Sequence, residues 1–456
     1  MGSVGVSLRR VAAATRAAEA EWRLAQLFRA WMSASLLVLA SLLAACSSIP
    51  REPAPPTLAA RAVPVGFPAS IRYLGTDRGF LLNHAEEALQ QLRVAKAGAP
   101  ICILALSGGG AGGAFGAGAL IGMSRRGDRP QFDVVTGVSA GALIAPFAYL
   151  GPSWDSELID AFDSDRAEHL LQPRGLSFLF RPGLYSSEPL VELVDHFVTD
   201  RLIKAVADQA AQGRLLLVAT TDLDKEETVI WDMGAIAEKG GAAARELFRD
   251  VLVASASIPG LFPPMLIHVE AGGKSYDEMH VDGGTTQSFF VASEIMQVDS
   301  RHFQALDKAR VFVLVNGQLS VYPETTPEEP VSVLIRSFSA GLMHASRKTL
   351  ELTAAFAQRY QMEFLFTYVP ARYAFEGSLD FSHEAMHGLF NYGAHCAEAG
   401  QLWTTMEDAI ERGQEVRTAV PRRSKDCPSL HKRPTEWKET TLVSGTLVQN
   451  RTDTPD

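Results

Sequence analysis

Two apolar runs of strand length, each ending in a glycine-rich turn and passing straight into an apolar helical pattern, constrain this 456-residue chain more than any other feature. The first, Ile101 to Leu106, enters Ser107-Gly108-Gly109-Gly110-Ala111-Gly112-Gly113 and then a helix to about Arg126. The second lies in Phe132 to Leu150, FDVVTGVSAGALIAPFAYL, and turns through Gly137-Val138-Ser139-Ala140-Gly141. A strand that is apolar without alternation is covered on both faces, as in a parallel sheet. Two strand-loop-helix units in succession therefore predict an α/β fold with a largely parallel central sheet.

The second turn is a G-x-S-x-G elbow, in which glycines let the chain turn sharply and hold Ser139 exposed at the start of a helix. A serine nucleophile needs an oxyanion hole and a base. The glycine loop can supply the first, because residues without Cβ let the N–H groups of Gly109, Gly110 and Ala111 converge on a small volume. Asp282, in Val281-Asp282-Gly283-Gly284, is the best candidate for the base. A carboxylate is ordinarily too weak a base for serine, so its surroundings must be dry enough to raise its pKa.

These elements, in the order G-G-G-x-x-G, G-x-S-x-G and D-G-G, resemble the patatin-like phospholipases. Ala219-Thr220-Thr221-Asp222-Leu223-Asp224 is similar to that family's A-T-D-L strand-turn, and Ala254-Ser255-Ala256-Ser257-Ile258-Pro259-Gly260-Leu261-Phe262-Pro263-Pro264 to its A-S-x-x-I-P-x-x-F-P-P segment. The resemblance spans Ile101 to Gly284 and continues loosely to about Trp403. It implies a three-layer α/β/α fold, hydrolysis of lipid acyl esters and a Ser-Asp dyad without histidine, with neither metal nor cofactor. Carried over, Ser139 is the nucleophile and Asp282 the base, and Gly108, Gly109, Gly110, Ala111, Gly112 and Gly113 form the oxyanion hole. The chain departs from the family at Gly112, where many members have Arg or Lys, and at Pro146, which should kink the elbow helix or cost it a hydrogen bond.

Other readings compete for the same residues. The glycine loop also satisfies G-x-G-x-x-G, with Asp133 about 20 residues on, as in a dinucleotide-binding unit; yet Asp133 precedes its strand instead of ending it. The glycines could also serve only close helix packing. His383-Glu384-Ala385-Met386-His387 is a full H-E-x-x-H that could hold zinc as a metallopeptidase does, with Glu398 or Glu407 as third ligand. A Ser-Asp-His triad would have to draw on His268, His280 or His302. A non-catalytic lipid-binding lipoprotein would keep the fold and tolerate loss of Ser139.

The apolar run Ala34 to Ala45, preceded by Arg23 and Arg29, is too short to span a membrane comfortably and has the length of a signal-peptide core. It closes as Leu43-Ala44-Ala45-Cys46, similar to a bacterial lipobox, which implies lipidation of Cys46. The expected organisation is a signal peptide with an extended leading region over 1–45, a Pro-rich flexible tether over 46–70, the acyl-hydrolase domain over 71–410, and a poorly ordered tail over 411–456. This places the domain in the cell envelope, anchored to a membrane through its lipidated N-terminus, on the periplasmic side of an outer membrane. A formal net charge of -10 argues against broad binding to nucleic acid. Cys396 and Cys427 could pair in an oxidising compartment, and Cys102 sits in a buried strand. Elsewhere the patterns predict helices over 79–94, 188–198 and 245–257, strands over 215–220, 228–231, 265–269, 279–281 and 311–315, and a long helix or helix pair over 331–360 interrupted near Gly341.

Overall fold

The computed structural model describes residues 22, 26–36, 51–77, 90–94, 96, 99–173, 182–291, 306, 308–375, 377–410 and 424–429. Residues 37–50, with the lipobox and Cys46, lie outside these, as does most of the helix expected over 79–94. Among the described residues no helix is long and apolar enough to cross a membrane.

One sheet organises the domain. Its strands are β1 (Val63–Pro64), β2 (Arg72–Leu74), β3 (Cys102–Leu106), β4 (Val134–Val138), β5 (Leu215–Asp222), β6 (Glu227–Asp232), β7 (Met265–Ala271), β8 (Lys274–Asp282), β9 (Arg310–Gln318) and β10 (Glu363–Val369). The helices of more than one turn are α1 (Gly113–Arg126), α2 (Ala140–Leu150), α3 (Asp155–Phe162), α4 (Glu188–Phe197), α5 (Asp200–Ala210), α6 (Met233–Lys239), α7 (Gly241–Ser255), α8 (Pro330–Arg359) and α9 (His383–Glu398). Strands β5, β4, β3, β9 and β10 run parallel in that spatial order, and antiparallel strands extend the sheet beyond β5. The sheet is therefore mixed around the expected parallel centre.

Alternate residues of the central strands feed two separate cores, as the two-residue period of a strand requires. Leu104 and Leu106 of β3 and Phe312 and Leu314 of β9 pack with α1, α2 and α9 on one face. Ile103 and Ala105 of β3 and Val311, Val313 and Val315 of β9 pack with Leu350 and Ala357 of α8 on the other. This is the three-layer α/β/α architecture. α8 is one continuous helix and is not interrupted at Gly341.

Two expected boundaries shift. The Pro-rich stretch is laid onto the domain from Arg51 onward. Arg51 pairs with Asp224 at 2.7 Å, β1 extends the edge at β7, and β2 pairs with β6. Proline suits such an edge position because it has no N–H to contribute to a ladder. In the region read as a loose tail, Cys427 is disulfide-bonded to Cys396 of α9, which fixes residues 424–429 against the helix layer.

Candidate active site

The register of β5 explains how two residues 143 positions apart meet. β5 takes β6 along one edge, through Leu217 to Asp222. Its other edge is shared: β4 occupies it up to Ala219, opposite Val138, and β8 occupies it from Thr220, opposite Asp282. β4 runs parallel to β5 and β8 antiparallel, so their C-terminal ends abut at the Ala219–Thr220 step. Ser139 and Asp282 emerge there, and Ser139 Oγ donates to Asp282 Oδ2 at 2.6 Å.

Ser139 is held at φ 55°, ψ -127°, a left-handed conformation rare for a residue with a side chain and costing on the order of 1–3 kcal/mol. The flanking glycines are demanded by space. A Cβ on Gly141 would lie 2.5 Å from the Leu106 carbonyl oxygen, and one on Gly137 would lie 2.7 Å from the Ala142 Cα. The helix that follows runs unbroken through Pro146 from Ala140 to Leu150. The expected kink gives way to the loss of the hydrogen bond that Pro146 cannot donate to Ala142.

Asp282 is 1% exposed. Burial pushes its carboxyl up to about 7, against the hydrogen bonds it accepts from Ser139 and from the Gly284 N–H at 2.7 Å. Among the described residues no histidine nitrogen bonds to either partner. His268 pairs with Asp277 at 2.6 Å, buried His280 faces Thr220 at 3.0 Å, and His302 lies outside the described residues.

Supports that sequence reasoning passed over come from the segment after α7 begins to close. Ser255 Oγ accepts from the Ser139 N–H at 2.9 Å and donates to the Ala219 carbonyl at 2.7 Å, while the Ser257 carbonyl accepts from the Asp282 N–H at 2.9 Å. Both members of the pair thus hang from one short stretch. The signal was the Ala254-to-Pro264 motif, whose serines carry no hint in sequence of what they hold.

Residues 104–294 match the family model of the patatin-like phospholipases. This region is a patatin-like phospholipase domain. The domain is of the phospholipase and esterase class. Solved structures similar to the chain include VipD from Legionella pneumophila, at 13% identity and a TM-score of 0.29 over 70% of this chain and 71% of that one. Human GIVD cytosolic phospholipase A2 is similar at 12% identity and a TM-score of 0.36, over 76% of this chain and 66% of that one. A sequence comparison with curated proteins found no match.

In this patatin-like domain the glycine loop lies beside Ser139: a Cβ on Gly108 would come within 3.1 Å of the Ser139 Cβ. Its six N–H groups are not equivalent. Gly108 donates to Ser288 O at 3.1 Å, Ala111 to Ser378 O at 2.9 Å, Gly112 to Gly109 O at 3.0 Å, and Gly113 back to Gly110 and Ala111. Among the described residues, the N–H groups of Gly109 and Gly110 take no partner. Ala111, expected as a donor, is spent on Ser378. The loop rests on Asn316, whose N–H donates to Ser107 Oγ at 2.9 Å and whose Nδ2 donates to Ser107 O at 2.7 Å. Asn316 was another unrecognised support, standing at the end of a strand that reads in sequence only as buried.

The competing motifs resolve differently. Asp133 accepts from Lys96 at 2.7 Å and from the Cys102 N–H at 2.8 Å, at the end of the sheet opposite the glycine loop, so no ribose could meet both. In the H-E-x-x-H segment, His387 is engaged by Asp163 at 2.7 Å and Asn391 at 2.9 Å, and Glu398 pairs with Arg125 at 3.2 Å. Asp163 approaches His387 alone, and among the described residues the two histidines and a third ligand do not gather closely enough to hold an ion. The one gathering of metal-capable groups found among those residues is Asp222, Glu278 and His280, with ligand atoms within 4.8 Å of one another. A cation already sits in it, because Lys225 Nζ bonds Asp222 and lies 2.6 Å from Glu278.

Proposed function

We propose that the chain is a serine acyl hydrolase that cleaves lipid acyl esters through a Ser139–Asp282 dyad, with the Gly109 and Gly110 N–H groups as the oxyanion hole. The observation that carries this reading is the 2.6 Å hydrogen bond from Ser139 Oγ to a carboxylate that burial has pushed up to about 7. Such a carboxylate is both aimed at the hydroxyl proton and basic enough to accept it.

The chemistry follows in two halves. Asp282 takes the Oγ proton as Oγ bonds to the acyl carbonyl carbon, and the oxygen that gains charge is received by the loop N–H groups and the positive end of α2. The carbonyl re-forms, the C–O bond to the alcohol breaks, and Asp282 returns the proton to the departing alkoxide. Water then attacks the acyl-enzyme, with Asp282 as base, releasing the acid and restoring Ser139. The raised pKa suits both directions of transfer near neutral pH.

Anchoring belongs to the same proposal. The short apolar run ending in Leu43-Ala44-Ala45-Cys46 supports lipidation of Cys46 and a place in the cell envelope, periplasmic side, and the Cys396–Cys427 disulfide fits an oxidising compartment. Palmitate labelling that disappears in Cys46→Ala tests the anchor; equal labelling and fractionation of the two proteins refutes it. For the chemistry, hydrolysis of a chromogenic medium-chain ester is expected to be lost in Ser139→Ala and Asp282→Asn and kept in each single His→Ala variant. Full activity in Asp282→Asn would overturn the dyad.

A further inference from the structure

Residues 424–429 form neither helix nor strand, yet Cys427, Pro428 and Ser429 are buried. The Cys396–Cys427 disulfide fixes this segment to α9, where Tyr392, one turn before Cys396, donates from Oη to the Asp426 carbonyl at 2.7 Å. From there the segment reaches outward, and the Ser424 N–H donates to the Arg372 carbonyl at 2.9 Å. Arg372 belongs to an arm, described over 370–375 and 377–382, that leads to the glycine loop. The ring of the next residue, Tyr373, packs on that of Tyr392 at 4.5 Å between centroids. α9 has its own hold on the domain, because a Cβ on Gly118 of α1 would lie 1.9 Å from the Phe390 carbonyl oxygen. What the disulfide adds is therefore the segment, not the helix.

The arm rests directly on the oxyanion loop. Ser378 O accepts the Ala111 N–H at 2.9 Å and lies 2.0 Å from where a Cβ on Gly110 would stand, while the Phe375 ring lies 3.4 Å from one on Gly112. With Ala111 drawn onto Ser378, the loop amides left for substrate are those of Gly109 and Gly110, and Gly110 is held at φ 55°. The arm thus decides which N–H groups face the reacting oxygen. Such donors stabilise a developing charge only if they are already aimed at it. Ordering an irregular segment costs conformational entropy, and a covalent cross-link lowers that cost.

We propose that the Cys396–Cys427 disulfide is a positioning element of the oxyanion hole, acting through segment 424–429 and the arm, so that the enzyme reaches its full rate only once this bond has formed. This rests on the acyl-hydrolase reading above. Bond formation removes two protons and two electrons from the Cys396 and Cys427 thiols. By thiol–disulfide exchange they pass to a disulfide carrier, which is left as its dithiol. A compartment that keeps thiols reduced withholds hydrolysis until the chain reaches an oxidising one.

The test follows hydrolysis of p-nitrophenyl butyrate by the full chain, below its melting temperature, before and after reduction by a phosphine, with free thiols counted by mass spectrometry. Reduction should lower kcat by about tenfold or more and keep KM within about twofold. It should leave the ionisation near 7 in place, and oxidised glutathione should restore the rate. Folded, reduced protein with the oxidised rate would overturn the proposal. So would a loss of rate that moves the ionisation, since the effect would then fall on Asp282. Because the bond is buried, Cys427→Ala supplies the reduced state by substitution and should match it. Ser424→Pro keeps the disulfide and removes the N–H given to Arg372; its kcat should fall severalfold, and the wild-type kcat there would also overturn the proposal. Failure of the dyad reading would look different, as hydrolysis by Ser139→Ala at the wild-type rate in both redox states.

Discussion

Glu278 and Asp282 lie four residues apart on one strand, point to the same face of it and are both buried, yet their acidities part in opposite directions. Burial raises both. For Glu278 that push is outweighed by hydrogen bonds from His280 and Arg72 and by the charge of Arg72, and its carboxyl ends well below the usual range. Arg72 grips it with both guanidinium nitrogens, one at 3.1 Å, and Lys225 adds a third bond at 2.6 Å. Asp282 has no cation, only a hydroxyl and one backbone N–H, and it stays near 7. Between them stands His280, turned to Thr220 and Glu278 and unavailable to the serine. What separates a structural carboxylate from a basic one on this strand is the company of cations, not depth.

The comparison breaks most decisively at Asp282. Asp282→Asn keeps the shape and removes the proposed base, so kcat is expected to fall by about 10³-fold or more, measured by ester hydrolysis. Glu278→Gln should do the reverse. It takes the carboxylate away from buried Arg72 while Lys225 keeps Asp222, and losing one partner of a buried pair costs about 3–5 kcal/mol. Denaturant unfolding should show that loss while kcat of the folded enzyme stays within a few-fold. Ser255→Ala, which leaves the Ser139 N–H and the Ala219 carbonyl without their shared partner, should cost about 1–3 kcal/mol and lower kcat by a smaller factor than Asp282→Asn.

The pH dependence of stability differs in sign for the two carboxyls. Asp282 is raised in the folded state, so its contribution is fully present below the ordinary Asp range and is lost as pH climbs from about 4 to about 7. Glu278 is lowered, so its contribution is present above the ordinary Glu range and is lost only as pH falls below it. Asp282→Asn should therefore melt higher than wild type at about pH 8, with the gap narrowing as pH falls and closing by about pH 4. A constant gap across that range would mean that Asp282 does not carry the raised pKa.

Much of this was legible because it depends on local chemistry. Unbroken apolar runs revealed strands covered on both faces, and the glycines at 137 and 141 revealed an elbow because no other residue fits beside Leu106 and Ala142. Ser139 and Asp282 could be paired through motifs that each declare a turn. The rest depended on long-range register. Nothing local shows that β4 and β8 share one edge of β5, that Ser255 reaches the Ser139 N–H, or that Ala111 gives its own N–H to Ser378. The Pro-rich stretch from Arg51 also reads as linker by composition, and only the open edge at β7 gives it a place.

The central claim is that a buried Asp282 without a cation beside it is the base that activates Ser139. A fluorophosphonate that reacts with activated serines measures this step alone, with the modified residue identified by mass spectrometry. Ser139 should be labelled at a rate that rises with pH through a single ionisation near 7, and the rise should vanish in Asp282→Asn. Labelling of Ser139 that is flat across that range, or that proceeds in Asp282→Asn at the wild-type rate, would contradict it.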